Sequence, residues 1–430
     1  AVSTIRRVAL CRVIPTLMSG TGRPEPPMSR TNTSDHYGAV TKSFHWLTAL
    51  LILTLIPLGI YANGLPYETS EALATKAWMF SLHKTLGVTM FFVALARIAW
   101  AISQPKPPLL HPDRKLETLA AETVHWLLYG SLLVVPLTGW VHHASTSGFA
   151  PIWWPFGQNL PLVPKSEHLA GWSAGLHIVF ERVLALALIL HFAGALKHHF
   201  IDRDATLLRM LPGKPDVSKE GHVNESDPRK WVSLGSAAAI WAAALCVGAV
   251  LGVYGEHDHG EHAAALETVQ SDWNVQTGAL DITVTQLGSP VTGNFADWTA
   301  AIRFDETVTS GSAGSVDVVI SIGSLTLGSV TSQALNADYF NVEGFPTARF
   351  QAEIATNENG YTATGTLSIK EHSMPITMPF SLDTSNGIAT MQGSTTLDRR
   401  DFKIGAAQQD EGTLGFEVTV NIQLTAKNAQ

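Results

Sequence analysis

The stretch from Gly171 to Leu196, GWSAGLHIVFERVLALALILHFAGAL, decides the architecture of this chain. It is mostly apolar and long enough to cross a bilayer core of roughly 30 Å. It carries two histidines, His177 and His191, fourteen residues apart. At 3.6 residues per turn, that spacing advances about 21 Å and nearly four whole turns. Both imidazoles therefore point within about 40° of one face, one near each side of the membrane. A helix of this kind needs partners at two depths.

Working outward, three apolar blocks precede this one, at Trp46–Tyr61, Trp78–Ile102 and Val124–Val141, and a fifth runs from Trp231 to Gly255. Each is long enough, with its flanks, to span a bilayer. Lysine and arginine accumulate between the second and third blocks (Arg97, Lys106, Arg114, Lys115) and after the fourth (Lys197 to Lys230). The other two loops offer little beyond Lys76 and Lys165. The positive-inside rule then places the N-terminus in the cytoplasm and everything after the fifth block outside. This asymmetry is more informative than the net charge of −8, and no nucleic-acid partner is expected. Residues 1–34 lack a convincing signal-peptide cleavage site and are expected to be a disordered tail. The only cysteines are Cys11 and Cys246, so there is no disulfide framework and no covalent haem-attachment motif.

In this topology His45 lies at the cytoplasmic end of the first helix, and His83 at the outer end of the second. His177 falls outside and His191 inside. Depth pairs His45 with His191 and His83 with His177. Two bis-imidazole sites follow, each suited to axial ligation of haem iron with no open position for oxygen, which favours electron transfer. His125 lies at the cytoplasmic depth and reads as a packing histidine. His142 and His143 end the third helix and are expected to be solvated. Arg97, fourteen residues after His83, is placed to pair with haem propionates. His198 and His199 lie two turns beyond His191, where an imidazole can hydrogen-bond a quinone carbonyl.

From Trp273 the pattern changes. Phe416, Val418, Val420, Ile422 and Leu424 alternate with Glu417, Thr419, Asn421, Gln423 and Thr425, a half-buried strand. Similar runs occur at Val316–Ile322, Arg349–Ile354, Tyr361–Ile369 and Ile376–Leu382. Such strands indicate a barrel or sandwich, and a barrel of about eight strands can hold one apolar ligand. The preceding Glu256-His257-Asp258-His259-Gly260-Glu261-His262 tract reads as a solvated spacer with metal-competent ligands, and residues 263–270 as a short helix.

Several motifs carry family resemblances. Phe44-His45-Trp46-Leu47, His83 with Arg97, Gln104-Pro105-Lys106-Pro107-Pro108, the His177/His191 spacing, Lys197-His198-His199-Phe200 and Thr206–Pro212 together resemble the bacterial cytochrome b561 family. That resemblance implies two non-covalent b-type haems, ubiquinone as redox partner with His198 and Ser43 as contacts, and in some members oxidation of superoxide. Leu335–Val342, Phe345–Phe350, Gly365–Lys370 and Asp398–Phe402 resemble the YceI family. This second resemblance implies a lipocalin-like barrel that binds polyisoprenoid chains, including quinone tails. Lys403 departs from a usual glycine, and Glu371-His372-Ser373 from a common glycine-containing turn.

The expected fold is a membrane all-α bundle, with a four-helix diheme core and a fifth transmembrane helix, followed by an all-β lipocalin-like antiparallel barrel. The expected segments are a tail at 1–34, the diheme domain at 35–212, a cytoplasmic linker at 213–230, the fifth helix at 231–255, a periplasmic linker at 256–272 and the barrel at 273–430. The expected function is a superoxide:ubiquinone oxidoreductase of the bacterial inner membrane, with a periplasmic barrel binding an isoprenoid or quinone. Lys76, Lys165 and protonated His142 or His143 are the candidate groups for attracting superoxide. The alternatives are a quinol-oxidising carrier to a periplasmic acceptor and a lipid carrier whose haems sense the quinone pool.

Overall fold

The computed structural model describes residues 29–33, 36–108, 110–111, 113–146, 148–213, 230–254, 264–267, 269–357, 360–385 and 387–429. The histidine-rich tract, the greater part of the expected tail and the cytoplasmic linker lie outside the described residues.

Five long helices form the first half: α1 (Ala39–Gly64), α2 (Ser70–Ser103), α3 (Lys115–Ser145), α4 (Glu167–Lys197) and α5 (Lys230–Val250). All five are long and apolar enough to cross a membrane. Thr69 and Ser166 cap α2 and α4 by accepting the amides of Ala72 and Leu169, which satisfies donors that the helix starts leave open. Consecutive helices pack side by side, and α5 lies against α3 and α4. Small clusters such as Leu51, Ile52, Met90, Ala94 and Leu132 fill the bundle. Large apolar side chains such as Leu50, Ile60, Ile189 and Val247 point outward, as a lipid-facing surface requires.

The end of the bundle that carries His45 is tied by cations donating to backbone carbonyls. Lys42, buried on α1, donates to the carbonyls of Leu211 (2.7 Å) and Gly213 (2.9 Å), and Trp46 Nε1 donates to Met210 O. Arg209 donates to Pro108 O. These bonds account for the joint presence of the first-helix motif and the Thr206–Pro212 motif. Part of the expected tail is also anchored: Asn32 N donates to Gln104 Oε1, and Asn32 Oδ1 accepts from Gly38 N. After Lys197 the helix widens into a π-helical turn, His198–Asp202, and ends at Arg203 in the left-handed conformation (φ 55°).

The second half is one antiparallel sheet of ten strands rather than about eight. They are β1 (Trp273–Gln286), β2 (Ser289–Phe295), β3 (Trp298–Phe304), β4 (Gly311–Ser321), β5 (Leu325–Thr326), β6 (Thr347–Asn357), β7 (Gly360–Ile369), β8 (His372–Ser385), β9 (Ile388–Asp398) and β10 (Leu414–Asn428). The order is β3-β4-β6-β7-β8-β9-β10-β1-β2-β5. The sheet curls on itself where Ser271 and Trp273 bond to Ile302 and Phe304 at the β3 edge. A five-residue helix, α6 (Thr331–Leu335), lies in the β5–β6 connection. The described residues of 264–270 form no helix, and Ala264 N donates to Ser321 Oγ, which ties this stretch to β4.

Both departures from the YceI-like pattern have a backbone explanation. Lys403 (φ 49°) and Lys370 (φ 56°), the latter next to Glu371, sit in the left-handed region where glycine is the least strained residue. The barrel rests on the side of the bundle that carries the α1–α2 and α3–α4 connections. Asn336 Nδ2 donates to Tyr67 Oη (2.7 Å), Gln408 Nε2 to Tyr67 O (2.9 Å) and Asp410 N to Ser70 Oγ (3.3 Å).

Candidate functional site

Helix α1 contributes His45 and α4 contributes His191 to the end of the bundle away from the barrel, where their ring centroids lie 6.2 Å apart at a tilt of 53°. Two metal–imidazole bonds of about 2.0–2.1 Å each, plus the two ring radii, sum to about 6 Å. The pair is thus spaced to grip one metal atom between its rings. Arg97 of α2 reaches the same place, with Nη2 3.4 Å from His45 Nδ1 and its guanidinium over the Tyr129 ring. His125 packs edge-on against His191 at 5.2 Å, with its Nδ1 bonded to Ala121 O. That contact satisfies one nitrogen locally.

The opposite end holds His83 and His177. His177 Nδ1 donates to Val135 O at 2.8 Å, which fixes the tautomer and leaves Nε2 as the free lone pair. His83 Nδ1 is buried with no hydrogen-bond partner. Each ring lies against a glycine. A Cβ on Gly59 of α1 would come within 2.9 Å of His83 Cε1, and one on Gly139 of α3 within 3.0 Å of His177 Cε1. The glycines let each ring lie on the backbone of a neighbouring helix, and His177 Nε2 and His83 Nδ1 are the nitrogens left for a ligand.

The cations expected to attract an anion are engaged elsewhere. Lys76 donates to the carbonyls of Asn63 and Leu65 at the end of α1, and Lys165 to that of Thr146 after α3. His142 and His143 are half-buried rather than solvated. His142 Nδ1 donates to Ala170 O, and the two rings lie 4.6 Å apart. The sequence reading passed over Lys84, which is only 6 % exposed and donates to the carbonyls of Phe149 and Ala150 at 2.8 Å each. A lysine beside a histidine within an apolar run was the available signal.

On the far side, the π-helical turn swings His198 into a network of charges. Its Nδ1 lies 2.6 Å from Asp204 Oδ2, and its Nε2 lies 3.1 Å from Glu117 Oε1. Lys197 and Arg114 pair with the carboxylates of Glu117 and Asp202, and His111 stacks on His198 and reaches Asp204 at 3.0 Å. Burial pushes the Asp204 carboxyl up, but hydrogen bonds from Thr206 and His198 outweigh it and hold the group below the usual carboxylate range. Glu117, His198 and Asp202 are close enough to hold a cation, yet Lys197 and Arg114 already balance their charge. His199 is half-buried against Phe200. Ser43 is exposed on α1, and among the described residues no hydrogen bond joins it to His198.

The barrel encloses a cavity of about 260 Å³ lined almost wholly by apolar side chains, among them Ile282, Trp298, Phe350, Met378 and Ile422. Arg399 lines it too, but its donors are taken up by the carbonyls of Gly415, Ile404, Gly405, Gln408 and Leu414. Such a chamber suits a hydrocarbon chain.

Comparison with known proteins agrees with both halves. Residues 36–213 match the family model of prokaryotic cytochrome b561, and residues 269–426 that of the YceI-like domain. Cytochrome b561 homolog 2 of Escherichia coli is 31% identical over 191 residues, covering 43% of this chain and 95% of that protein. A protein of Yersinia pestis named probable superoxide oxidase CybB is 25% identical over 179 residues, covering 41% of this chain and 97% of that one. The crystal structure of Burkholderia cenocepacia BcnA aligns with a TM-score of 0.34 and 25% identity, covering 36% of this chain and all of that one. The chain belongs to the prokaryotic cytochrome b561 family and carries a YceI-like domain behind its membrane helices.

Proposed function

We propose that this membrane b-type cytochrome is a diheme oxidoreductase of the bacterial inner membrane, passing electrons from superoxide on the periplasmic side to ubiquinone, with the tethered barrel holding an isoprenoid or quinone. The observation that carries this reading is the approach of His45 to His191 at 6.2 Å, at the opposite end of α4 from His177. Two b-type haems, held by His45 with His191 and by His83 with His177, would supply one-electron carriage between the two faces.

The chain's own groups do the rest. The Val135 carbonyl orients His177, and Gly59 and Gly139 let the His83 and His177 rings pack directly on neighbouring helix backbones. Arg97 offers a cation to the carboxylates that a b-type haem carries. Lys76 and Lys165, at the ends of helices on the barrel side, are the cations an approaching anion would meet. His198, bonded between Asp204 and Glu117, is the imidazole placed to relay protons at the cytoplasmic end, where quinone reduction consumes two protons for every two superoxide anions oxidised.

The test combines haem stoichiometry with rapid kinetics on the purified protein. His45→Ala and His191→Ala are expected to retain one haem per chain, as are His83→Ala and His177→Ala, whereas His125→Ala retains two. In stopped flow, superoxide should reduce the haems and a soluble ubiquinone analogue should reoxidise them. Haems that ignore superoxide but reduce with quinol would overturn the proposed direction.

A further inference from the structure

The end of the barrel that meets the bundle differs chemically from its other end. The far end closes with an apolar cluster in which Trp273, Ala389 and Ala426 pack with Ile302, Phe304 and Leu382. The docked end carries the β1–β2 turn and the loop before β10, where Gln286 pairs in register with Ser289 and Leu414. Gln286 lines the cavity, is only 4 % exposed, and its Oε1 has no hydrogen-bond partner. The other polar groups nearby are engaged. Gln333 donates to Tyr339 Oη, and Arg399 is surrounded by carbonyls. A buried amide without partners inside an apolar chamber calls for a ligand group that supplies them. Because an amide both donates and accepts, it can meet either a carbonyl or a hydroxyl.

The membrane half reaches this same end. Gly148 sits so close to Val291 that a Cβ would come within 2.5 Å of its Cγ2, and Val291 is the register partner of Val284, one inward position from Gln286. Phe149 packs on the barrel core and, through its other side, on Phe80 of α2 at 5.7 Å. Gly148, Phe149 and Ala150 all have positive φ (83°, 30° and 60°), a conformation side-chain-bearing residues adopt only when held there. Lys84 holds it by bonding both the Phe149 and Ala150 carbonyls, and Lys84 directly follows His83.

We propose that the docked end of the barrel is a head-group site, in which an isoprenoid quinone lays its chain in the cavity and its oxygen-bearing ring against the Gln286 amide, beneath the Phe149 loop and facing the His83 end of the bundle. This rests on the lipid-binding role proposed for the barrel and adds the orientation of its ligand. The apolar end receives the chain, and the unpartnered Gln286 amide receives the ring. The Phe149 loop closes the exit on the membrane side, so the ligand leaves there only when that loop moves or the barrel lifts.

The test uses the full-length protein in nanodiscs and a ubiquinone analogue bearing an azide on its ring, with labelled peptides mapped by mass spectrometry after illumination. Label is expected on 284–291 and 148–154, and Gln286→Leu, which places an apolar side chain in an apolar chamber, should weaken that labelling about tenfold. Circular dichroism of the variant separates loss of the site from loss of the fold. Label at the far end, on 273–276 or 424–427, would overturn the orientation, as would undiminished labelling of folded Gln286→Leu. Absence of label anywhere in 273–428 would overturn the barrel's lipid-binding role itself, and the head-group site with it.

Discussion

Replacing Arg399 with methionine removes the one cation around which the loop before β10 is folded. The guanidinium is 3 % exposed and bonds five carbonyls, those of Gly415, Ile404, Gly405, Gln408 and Leu414. If water reaches three of these once the donor is gone, two unsatisfied carbonyls at about 1–3 kcal/mol each still cost about 2–6 kcal/mol. The loss is local, because the loop's own bonds (Ile404 N to Arg399 O, Gly405 N to Asp338 O, Leu414 N to Asp410 O) depend on it. Hydrogen exchange on the full-length protein reads it directly, with those amides expected to exchange at least about 30-fold faster, since 1.4 kcal/mol is a factor of ten. Arg399→Lys keeps the charge but offers three donors for five acceptors, so its acceleration should be smaller. Gln408 and Asp410 of this loop touch Tyr67 and Ser70, so exchange in the α1–α2 connection should rise in parallel. Less than threefold acceleration at Ile404, Gly405 and Leu414, or an equal rise across β6 and β7, would refute the reasoning.

Two further outcomes follow from backbone and charge. Lys403→Gly relieves a left-handed residue at φ 49° and should stabilise the barrel by about 0.5–1 kcal/mol after the added unfolded-chain entropy, seen as a thermal midpoint higher by a few degrees. Asp204→Asn should destabilise the His198 network by about 1–3 kcal/mol at neutral pH. Because the folded carboxyl titrates below its unfolded range, its contribution is full above that range and fades as pH falls through the folded value. Melting curves of wild type and variant should therefore converge as pH is lowered below the ordinary carboxylate range, and a constant gap would contradict the assignment.

What the sequence disclosed and what it withheld differ by the range of the interactions involved. The five spans and the strands at 316–322, 349–354, 361–369, 376–382 and 416–425 were legible because burial imposes its period on neighbouring residues. The pairing of His45 with His191 was legible because depth in a bilayer is counted in residues along a helix. Lys42, Lys84 and Arg399 were not legible, because their partners are carbonyls between 16 and 171 residues away or bunched in one loop. A carbonyl has no residue type to recognise. The π-helical turn at His198–Asp202 was missed for a related reason: an unbroken α-helix placed His198 by simple extrapolation, whereas the turn aims it at Asp204 and Glu117. The helix expected at 263–270 is not formed by the described residues of that stretch, which Ala264 ties to Ser321 of β4.

The two ends of the ten-stranded sheet bear on how such molecules share a membrane. Proteins confined to a plane collide often and in similar orientations, and an open strand edge on one is a template for the next. Here one terminal strand, β5, is only two residues long, and the other, β3, is occupied by Ser271 and Trp273. Among the described residues both edges are therefore blunted as templates for a neighbour. Crowding can therefore rise without the barrels fusing into a continuous sheet across the membrane surface.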